Sequence, residues 1–231
     1  MKLIKKFLAA VTAITALSAM INTNAYAALP VEGLSIANNE NHIVLIVGHK
    51  NNKNTVTVND YSRTSDGNWI KNWYVNGVAG TNGISLDKAE GDKKTPEGVF
   101  SAMFAFGLKD NPGSIIEYRK ITGGDYWVDD SKSFYYNKWV NIADTKKDWN
   151  SAEDMMAASP YYNYALALNY NVEAVPGKGS AIFIHCTKSD TDTSSAGCIR
   201  IPEEYMKRLV QTVDADTKIV IIENVDKLSN Y

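Results

Sequence analysis

The sequence predicts a mainly β domain, with a β-sandwich or barrel-like architecture and about two short helices. Short runs rich in β-branched and aromatic residues recur along the chain, and clusters of Gly, Asn and Asp separate them. Helical signals are confined to two segments and do not alternate with the strands. Since βαβ units require that alternation, we expect a sandwich or barrel rather than βαβ units.

The predicted strands follow one another at short intervals. Residues 42–47 form a β-branched run, and residues 55–61 alternate between apolar and polar, with a hairpin turn predicted at 51–54. Residues 69–78 are rich in Trp and Tyr and predict a third strand. Further strands are predicted at 99–106, 118–122, 126–128, 165–170, 181–185 and 218–222.

Two segments predict helices. Ser151 and Asp154 have the spacing of a capping box, and the helix that they predict ends before Pro160. Pro202 suits the first turn of a second helix, where its missing N–H costs nothing. Apolar residues continue that second helix at helical spacing, at Met206, Leu209, Val210 and Val213.

The first 27 residues predict a secretory signal peptide. Lysines at positions 2, 5 and 6 precede an apolar run, and small residues at 25 and 27 suit a cleavage site. An uncleaved membrane anchor is the alternative, against which the apolar run is short. No later stretch is long enough to span a bilayer. We therefore expect an exported protein of the cell envelope, periplasm or extracellular wall space, with no stable membrane span after cleavage.

The remaining sequence predicts one domain. Residues 28–39 are interpreted as a loose N-terminal lead-in and residues 40–231 as a domain with its own core. The whole chain has 24 basic and 26 acidic residues, and the leader carries three of the lysines and no acid. The mature chain is therefore acidic, which argues against nucleic acid as a partner because such binding needs a basic face. We expect a monomer.

One apolar strand and the turn after it hold the residue types of a cysteine acyl-transfer site. The strand ends at His185, and Cys198 follows in Ser-Ala-Gly-Cys-Ile-Arg. A histidine is the usual base that converts a thiol to the thiolate. Gly197 permits a tight turn whose amides can hold an oxyanion. Arg200 shares a strand face with the cysteine and can hold a substrate carboxylate, and Ser195 is a candidate for substrate binding or for turn hydrogen bonds.

These residues also have competing interpretations. Cys186 and Cys198 are the only cysteines, so a disulfide between them is an alternative in an exported protein. Otherwise Cys186 packs as a small apolar residue. A zinc site is disfavoured because adjacent His185 and Cys186 cannot easily ligate one ion, and no cofactor or metal is predicted. His185 also fits a histidine that ends a strand, and Arg200 equally fits a surface ion pair.

The same residues resemble the signature of the L,D-transpeptidase catalytic-domain family of bacterial cell-wall enzymes. That signature has a strand ending in His, a variable loop, and Ser/Thr-x-Gly-Cys followed by an aliphatic residue and Arg or Asn, as at His185 and at positions 195–200 here. Residues 91–100 match a second family segment, G-x-x-x-T-P-x-G-x-F. Cys186 and Ala196 are typical of a His-Cys and Ala-Gly-Cys branch. The resemblance covers residues 40–223.

The resemblance implies the L,D-transpeptidase catalytic fold and a reaction on peptidoglycan stem peptides. It implies that Cys198 forms a thioester with the residue before a terminal D-amino acid, with His185 as general base and acid. An amine from a neighbouring stem then forms an L,D cross-link, or a free D-amino acid is exchanged. It further implies a role in cell-wall biogenesis and cell shape, and acylation of Cys198 by carbapenem-type lactams. Two alternatives stay open: an L,D-carboxypeptidase that uses water, and a non-enzymatic envelope-binding domain with a Cys186–Cys198 disulfide.

Overall fold

The computed structural model describes residues 28–189 and 191–231. The predicted signal peptide at residues 1–27 lies outside the described residues. Within the described part of the chain, no helix combines the length and apolar character needed to cross a bilayer.

The described residues form fifteen strands and one α-helix, which confirms the mainly β prediction. The helix α1 is Glu203–Thr212, and short 3-10 helices lie at Pro30–Gly33, Ser35–Asn38, Met156–Ala158 and Val225–Asn230. The strands are β1 (His42–His49), β2 (Asn52–Arg63), β3 (Trp69–Val78), β4 (Ile84–Ser85), β5 (Thr95–Pro96), β6 (Gly98–Phe100), β7 (Ala102–Gly107), β8 (Tyr118–Lys120), β9 (Asp125–Val128), β10 (Lys138–Asn141), β11 (Ala152–Asp154), β12 (Ala165–Leu168), β13 (Phe183–Cys186), β14 (Ile199–Ile201) and β15 (Lys218–Ile222).

Ten strands form one sheet, in the order β6-β15-β1-β2-β3-β14-β13-β12-β7-β8. The pairs β1–β15, β13–β14 and β7–β8 are parallel, and the other pairs are antiparallel. Three further strands form a small sheet in the order β10-β9-β11, and β4 pairs with β5. Short hairpin connections join β1 to β2 and β2 to β3, whereas the pairs β6–β15, β15–β1, β3–β14 and β12–β7 join strands that are distant in sequence.

The large sheet curls back on itself. Its first strand, β6, and its ninth, β7, are separated along the chain by Ser101 alone. Ser101 also accepts a hydrogen bond from the Asn169 amide, beyond β12, and donates its own amide to the Asn169 side-chain oxygen. Apolar residues from distant strands, such as Val44, Leu166 and Ile221, therefore share one core cluster, which α1 joins through Leu209. This barrel-like closure is why the strand predicted at 99–106 divides in two.

The N-terminal segment covers the outer face of β1, β2 and β15. Residues 28–39 were expected to be a loose lead-in, and this is wrong. Their consecutive 3-10 turns bury Val31, Leu34 and Ala37 against apolar residues of that face. Leu34 is the extended residue between the two turns, and its side chain is buried with those of Val31 and Ala37.

The small sheet covers the outer face of β12, β13 and β7. Its residue Trp127 packs edge-on against Phe183 of β13, with ring centroids 4.8 Å apart. Phe106 packs against the same phenylalanine at 5.1 Å. Cys198 belongs to this second apolar cluster and lies at its border. The candidate nucleophile is therefore on the outer face of the large sheet, under a covering layer.

The first predicted helix is wrong, and pairing with another strand explains why. Ala152, Glu153 and Asp154 form β11, which pairs antiparallel with β9. The Asp154 carboxylate then accepts hydrogen bonds from the amides of Met156 and Ala157, at 3.1 and 3.2 Å. A carboxylate cap thus exists in this segment, but it serves one 3-10 turn that begins after the strand.

The second predicted helix is confirmed as α1. Its apolar face buries Met206, Leu209 and Val210, and the helix packs on β12 and β13. Pro202 occupies the position before the first helical residue, one place earlier than predicted. Because α1 begins immediately after β14, it anchors the strand that follows Cys198.

Candidate active site

A tight turn before β14 presents Cys198, and Ser195 holds that turn together. The Ser195 hydroxyl donates to the Cys198 carbonyl at 2.5 Å and accepts from the Gly197 amide at 3.0 Å. Gly197 has φ +152°, and a Cβ there would lie 3.0 Å from the Lys94 carbonyl oxygen, so glycine is required. The Ser195 hydroxyl therefore acts within the turn. It also engages the Gly197 amide that was assigned to the oxyanion.

The Thr-Pro block at residues 95–96 braces the same turn. The Thr95 hydroxyl donates to the Gly197 carbonyl at 2.7 Å and accepts from the Gly80 amide at 2.9 Å. Ser195 in turn donates its amide to the Ala79 carbonyl at 2.9 Å. Thr95 is fully buried, so its hydroxyl links three chain segments where water does not compete.

Cys198 is a buried thiol, with 9% of the residue exposed. Its sulfur donates to the Ala181 carbonyl at 3.1 Å and accepts from the Phe183 amide at 3.4 Å. Burial raises the pKa of the thiol to about 12, and the negative charge of Glu153 acts in the same direction. The resting thiol is therefore protonated near neutral pH.

His185 is a buried, neutral imidazole. Its Nδ1 lies 3.0 Å from the Cys186 carbonyl oxygen, which assigns the proton to Nδ1 and leaves Nε2 as an acceptor. The rings of Tyr161 and Tyr162 meet the imidazole edge-on, with centroids 5.8 and 5.2 Å away. Burial lowers the pKa of His185 to about 3, and the nearby Arg200 cation lowers it further. The group that orients His185, left open by the sequence, is a backbone carbonyl.

Two pockets meet at Cys198. We call the first the charged pocket: it has a volume of about 210 Å³ and is lined by Lys88, Glu90, Lys93 and Asp129. The second, the aromatic pocket, has about 170 Å³ and is lined by Tyr161, Tyr162, His185 and Arg200. Glu153, Ala196 and Cys198 line both pockets. A bound group in either pocket can reach the sulfur.

Cys198 and His185 share the aromatic pocket, but no hydrogen bond joins them among the described residues. The prediction that His185 takes the Cys198 proton therefore concerns the reaction and not the resting state. Both groups are desolvated, which favours their neutral forms, and the Arg200 charge disfavours the imidazolium. The arrangement fits a proton transfer that accompanies nucleophilic attack.

Arg200 lies inside the site. Its guanidinium carbon is 4.3 Å from the Tyr161 ring centroid. Its Nη1 donates to the Ser194 carbonyl at 3.1 Å and lies 3.7 Å from the carboxylate of Asp192. Its Nε is buried with no partner among the described residues. Arg200 therefore lines the aromatic pocket together with His185 and Cys198.

Glu153 and Tyr162 were not identified as site residues from the sequence. The Tyr162 hydroxyl donates to the Glu153 carboxylate. Burial raises the pKa of Glu153. The tyrosine stood out only as one of several clustered aromatic residues, and the glutamate was interpreted as part of a helix. Their role in the site depends on the β9–β11 pairing.

Cys186 lies on the opposite face of β13, in the central core with Ile184. Its thiol donates to the Tyr164 carbonyl at 3.4 Å, and both cysteines are free. The disulfide alternative is therefore wrong for this structure, because successive strand residues point to opposite faces. Among residues 28–189 and 191–231, no group of three His, Cys, Asp or Glu side chains is arranged to hold a metal ion.

Several solved structures resemble this fold at low sequence identity. They include Bd1075 of Bdellovibrio bacteriovorus (TM-score 0.43, 16% identity, 83% of this chain and 54% of that one). An L,D-transpeptidase (Yku) from Stackebrandtia nassauensis gives TM-score 0.36 and 14% identity over 80% and 57% of the two chains. The Ldtfm–avibactam carbamoyl enzyme gives 0.36 and 14% over 79% and 48%. The chain thus spans about half the length of the structures it matches.

A search of curated protein sequences gave no match. A family model does match: the YkuD model, which describes the L,D-transpeptidase catalytic domain, aligns with residues 45–221. The aligned region includes the Thr-Pro block, His185 and the Cys198 turn. The chain therefore belongs to the L,D-transpeptidase catalytic-domain family.

Proposed function

We propose that this protein is an exported cysteine acyltransferase that forms L,D cross-links in peptidoglycan stem peptides. The observation that carries the proposal is the position of Cys198, whose sulfur lies where two pockets meet and which shares the aromatic pocket with His185. Membership of the L,D-transpeptidase family supports the substrate class. Export rests on the sequence of residues 1–27.

The first half-reaction would acylate the cysteine. The Cys198 sulfur attacks the carbonyl carbon of the residue that precedes the terminal D-amino acid, and the thiol proton passes to Nε2 of His185. The tetrahedral intermediate then collapses as the imidazolium protonates the departing amine. The products are a Cys198 thioester and a free D-amino acid.

Two other groups would assist this step. We assign the backbone amide of Cys198 to the oxyanion, since the Gly197 amide already donates to Ser195. Arg200 would bind a substrate carboxylate in the aromatic pocket, which its side chain lines. A bound carboxylate would also offset the Arg200 charge, which makes the transient imidazolium less costly.

The second half-reaction would transfer the acyl group to an amine. The pockets on either side of Cys198 offer space for a donor and an acceptor strand at once. That arrangement favours cross-linking, or exchange of the terminal D-residue, over simple hydrolysis. An L,D-carboxypeptidase would use the same thioester with water as acceptor.

The test uses a tetrapeptide donor, with and without an amine acceptor. We expect an acyl-enzyme by intact-protein mass spectrometry, release of the terminal D-amino acid, and a ligated product when the amine is present. Trimmed tripeptide alone, at any amine concentration, would establish the carboxypeptidase. No acyl-enzyme from folded protein with a free Cys198 thiol would overturn the acyltransferase proposal.

A further inference from the structure

Glu153 is the carboxylate that faces both pockets beside Cys198. It lies in the middle of β11, opposite Trp127 of β9, so strand pairing fixes its backbone. Its side chain lines the charged pocket and the aromatic pocket, whereas His185 lines only the aromatic pocket. A group in the charged pocket therefore has carboxylates near it, together with the ammonium groups of Lys88, which pairs with Asp92, and Lys93. No imidazole is among the described lining residues.

The carboxylates of the charged pocket differ in how strongly they are engaged. Glu90 accepts hydrogen bonds from the hydroxyls of Tyr136 and Ser180, at 2.5 and 2.7 Å on the same oxygen. Glu153 accepts a hydrogen bond from Tyr162 at Oε2, and its Oε1 accepts none from the described residues. Asp129 has a buried Oδ1 with no partner among the described residues, but it lines the charged pocket alone. Glu153 is the carboxylate that lines both pockets with the reacting sulfur.

We propose that Glu153 is a catalytic general base that accepts a proton from the acceptor amine in the charged pocket. This inference rests on the proposed acyltransferase function and assigns its second half-reaction to a residue distinct from His185. The ligand of the charged pocket would be the ammonium end of an acceptor strand, or of a free D-amino acid.

The proton balance of the transfer step requires such a base. The acceptor arrives as R–NH₃⁺ and must lose one proton before its nitrogen can attack; the Glu153 carboxylate takes that proton. The nitrogen then bonds to the thioester carbon and the C–S bond breaks. The second proton leaves the nitrogen and goes to the departing Cys198 thiolate, whose raised pKa makes it a strong acceptor. Glu153 returns its proton to solvent.

The surroundings of Glu153 suit this role. Burial and the nearby negative charges of Asp129 and Glu90 raise its pKa, while the Tyr162 hydrogen bond and the Arg200 charge oppose that rise. A carboxylate with a raised pKa is a stronger base than an ordinary one, and it is closer to the operating pH. Cys198 and His185, its titratable neighbours on the shared wall, are both neutral at rest.

The experiment separates the two half-reactions in Glu153→Gln. Acylation by a tetrapeptide donor is followed by rapid-quench mass spectrometry, and thioester release is followed with and without a D-amino acid as acceptor. We expect acylation within about threefold of the parent and amine-dependent release slower by about a hundredfold or more. The exposed Glu173→Gln variant is the matched control and should leave both rates unchanged.

The pH profile provides a readout that a purely structural role would not produce. The rate of amine-dependent release in the parent should rise with pH as Glu153 ionises. This rising limb of the pH–rate profile should disappear in Glu153→Gln. In Tyr162→Phe the limb should move to higher pH, because the hydrogen bond that stabilises the carboxylate is lost. Glu153→Asp should retain the limb, and it replaces the glutamine variant if that protein does not fold.

Two outcomes would overturn the role of Glu153 while leaving the acyltransferase intact. One is unchanged amine-dependent release in folded Glu153→Gln. The other is an equal slowing of acylation and release with no change in the pH limb. Failure of the parent itself to acylate would instead remove the proposed function on which this inference rests.

Discussion

The Thr95 hydroxyl donates to the carbonyl of Gly197 at 2.7 Å, which joins the Thr-Pro block directly to the turn that carries the nucleophile. The sequence pairs these two motifs only by family likeness. In the fold, one buried hydrogen bond makes the first motif a support for the second. The two motifs occur together because the turn that carries Cys198 loses a stabilising hydrogen bond when Thr95 is absent.

Thr95→Val should loosen this turn. The substitution removes the hydroxyl that bonds Gly197 and Gly80 and leaves two buried backbone groups unpaired, at a cost of about 1–3 kcal/mol in unfolding free energy. Chemical denaturation measures the stability, and donor acylation should slow as well. Thr212→Val, at an exposed position of α1, is the control. If Thr95→Val is as stable as the parent and is acylated at the parent rate, the Thr95 hydrogen bonds are unimportant for the turn.

Cys198→Ala and Cys186→Ala should behave differently. The first should abolish acyl-enzyme formation with the fold intact, because only the reacting sulfur is removed. The second should keep most activity and lose on the order of 1 kcal/mol of stability, since Cys186 is a small buried core group. Intact-protein mass spectrometry and thermal unfolding measure the two effects. An adduct on the Cys198→Ala protein would show that another residue is the nucleophile.

The resting thiol should behave as a neutral one. Because burial raises the pKa of Cys198 to about 12, its alkylation in Cys186→Ala protein should rise about tenfold per pH unit from pH 7 to 10 without a plateau. His185→Gln should leave that profile nearly unchanged but slow donor acylation by about a hundredfold, through loss of the general base. A plateau near neutral pH in the parent would indicate a resting thiolate instead.

His185 should make the fold sensitive to acid. Its pKa is lowered from 6.5 to about 3, so below pH 6.5 the unfolded chain binds a proton that the folded chain does not. Unfolding free energy should therefore fall as the pH falls from 6.5 towards 3, by on the order of 4 kcal/mol from this group. His185→Gln should flatten that dependence, and His49→Gln, at an exposed position, should not. Denaturant titrations at several pH values measure it.

Arg200→Ala should slow acylation by a carbapenem. The loss of the guanidinium removes the partner that we assign to the lactam carboxylate, and we expect a decrease of about tenfold or more. Time-resolved mass spectrometry of the adduct on the Gly197–Cys198 peptide measures the rate. Arg208→Ala, on the exposed side of α1, controls for the loss of a positive charge. Equal rates in the two variants would argue that Arg200 serves only its contacts with Tyr161 and Asp192.

The sequence predicted correctly those strands and helices whose apolar periodicity matches the face that they bury in the fold. The strands at 69–78 and 218–222 and the helix after Pro202 were located well, since their apolar periodicity matches the faces that they bury. The curl of the large sheet could not be predicted, because it depends on pairings such as β1 with β15 that join distant residues. The same applies to β11, where pairing with β9 overrode a helical start signal.

The site was predictable in its composition more than in its electrostatics. The sequence named Cys198, His185 and Arg200, and the structure brings all three to the aromatic pocket. It could not give their protonation, because burial under the segment between β9 and β12 sets the pKa values of the thiol and imidazole. Glu153 was missed because its place in the site depends on the pairing of β11 with β9.

The two thiols of this chain face away from each other across β13, and this affects how an oxidant would damage the protein. A sulfenic acid formed at Cys198 would have no resolving cysteine beside it, since Cys186 is sealed in the central core. The chain therefore cannot protect its nucleophile by closing a reversible internal bridge. Recovery would depend on a reducing thiol supplied by another molecule, and resistance to oxidation would depend on how rarely the buried sulfur ionises.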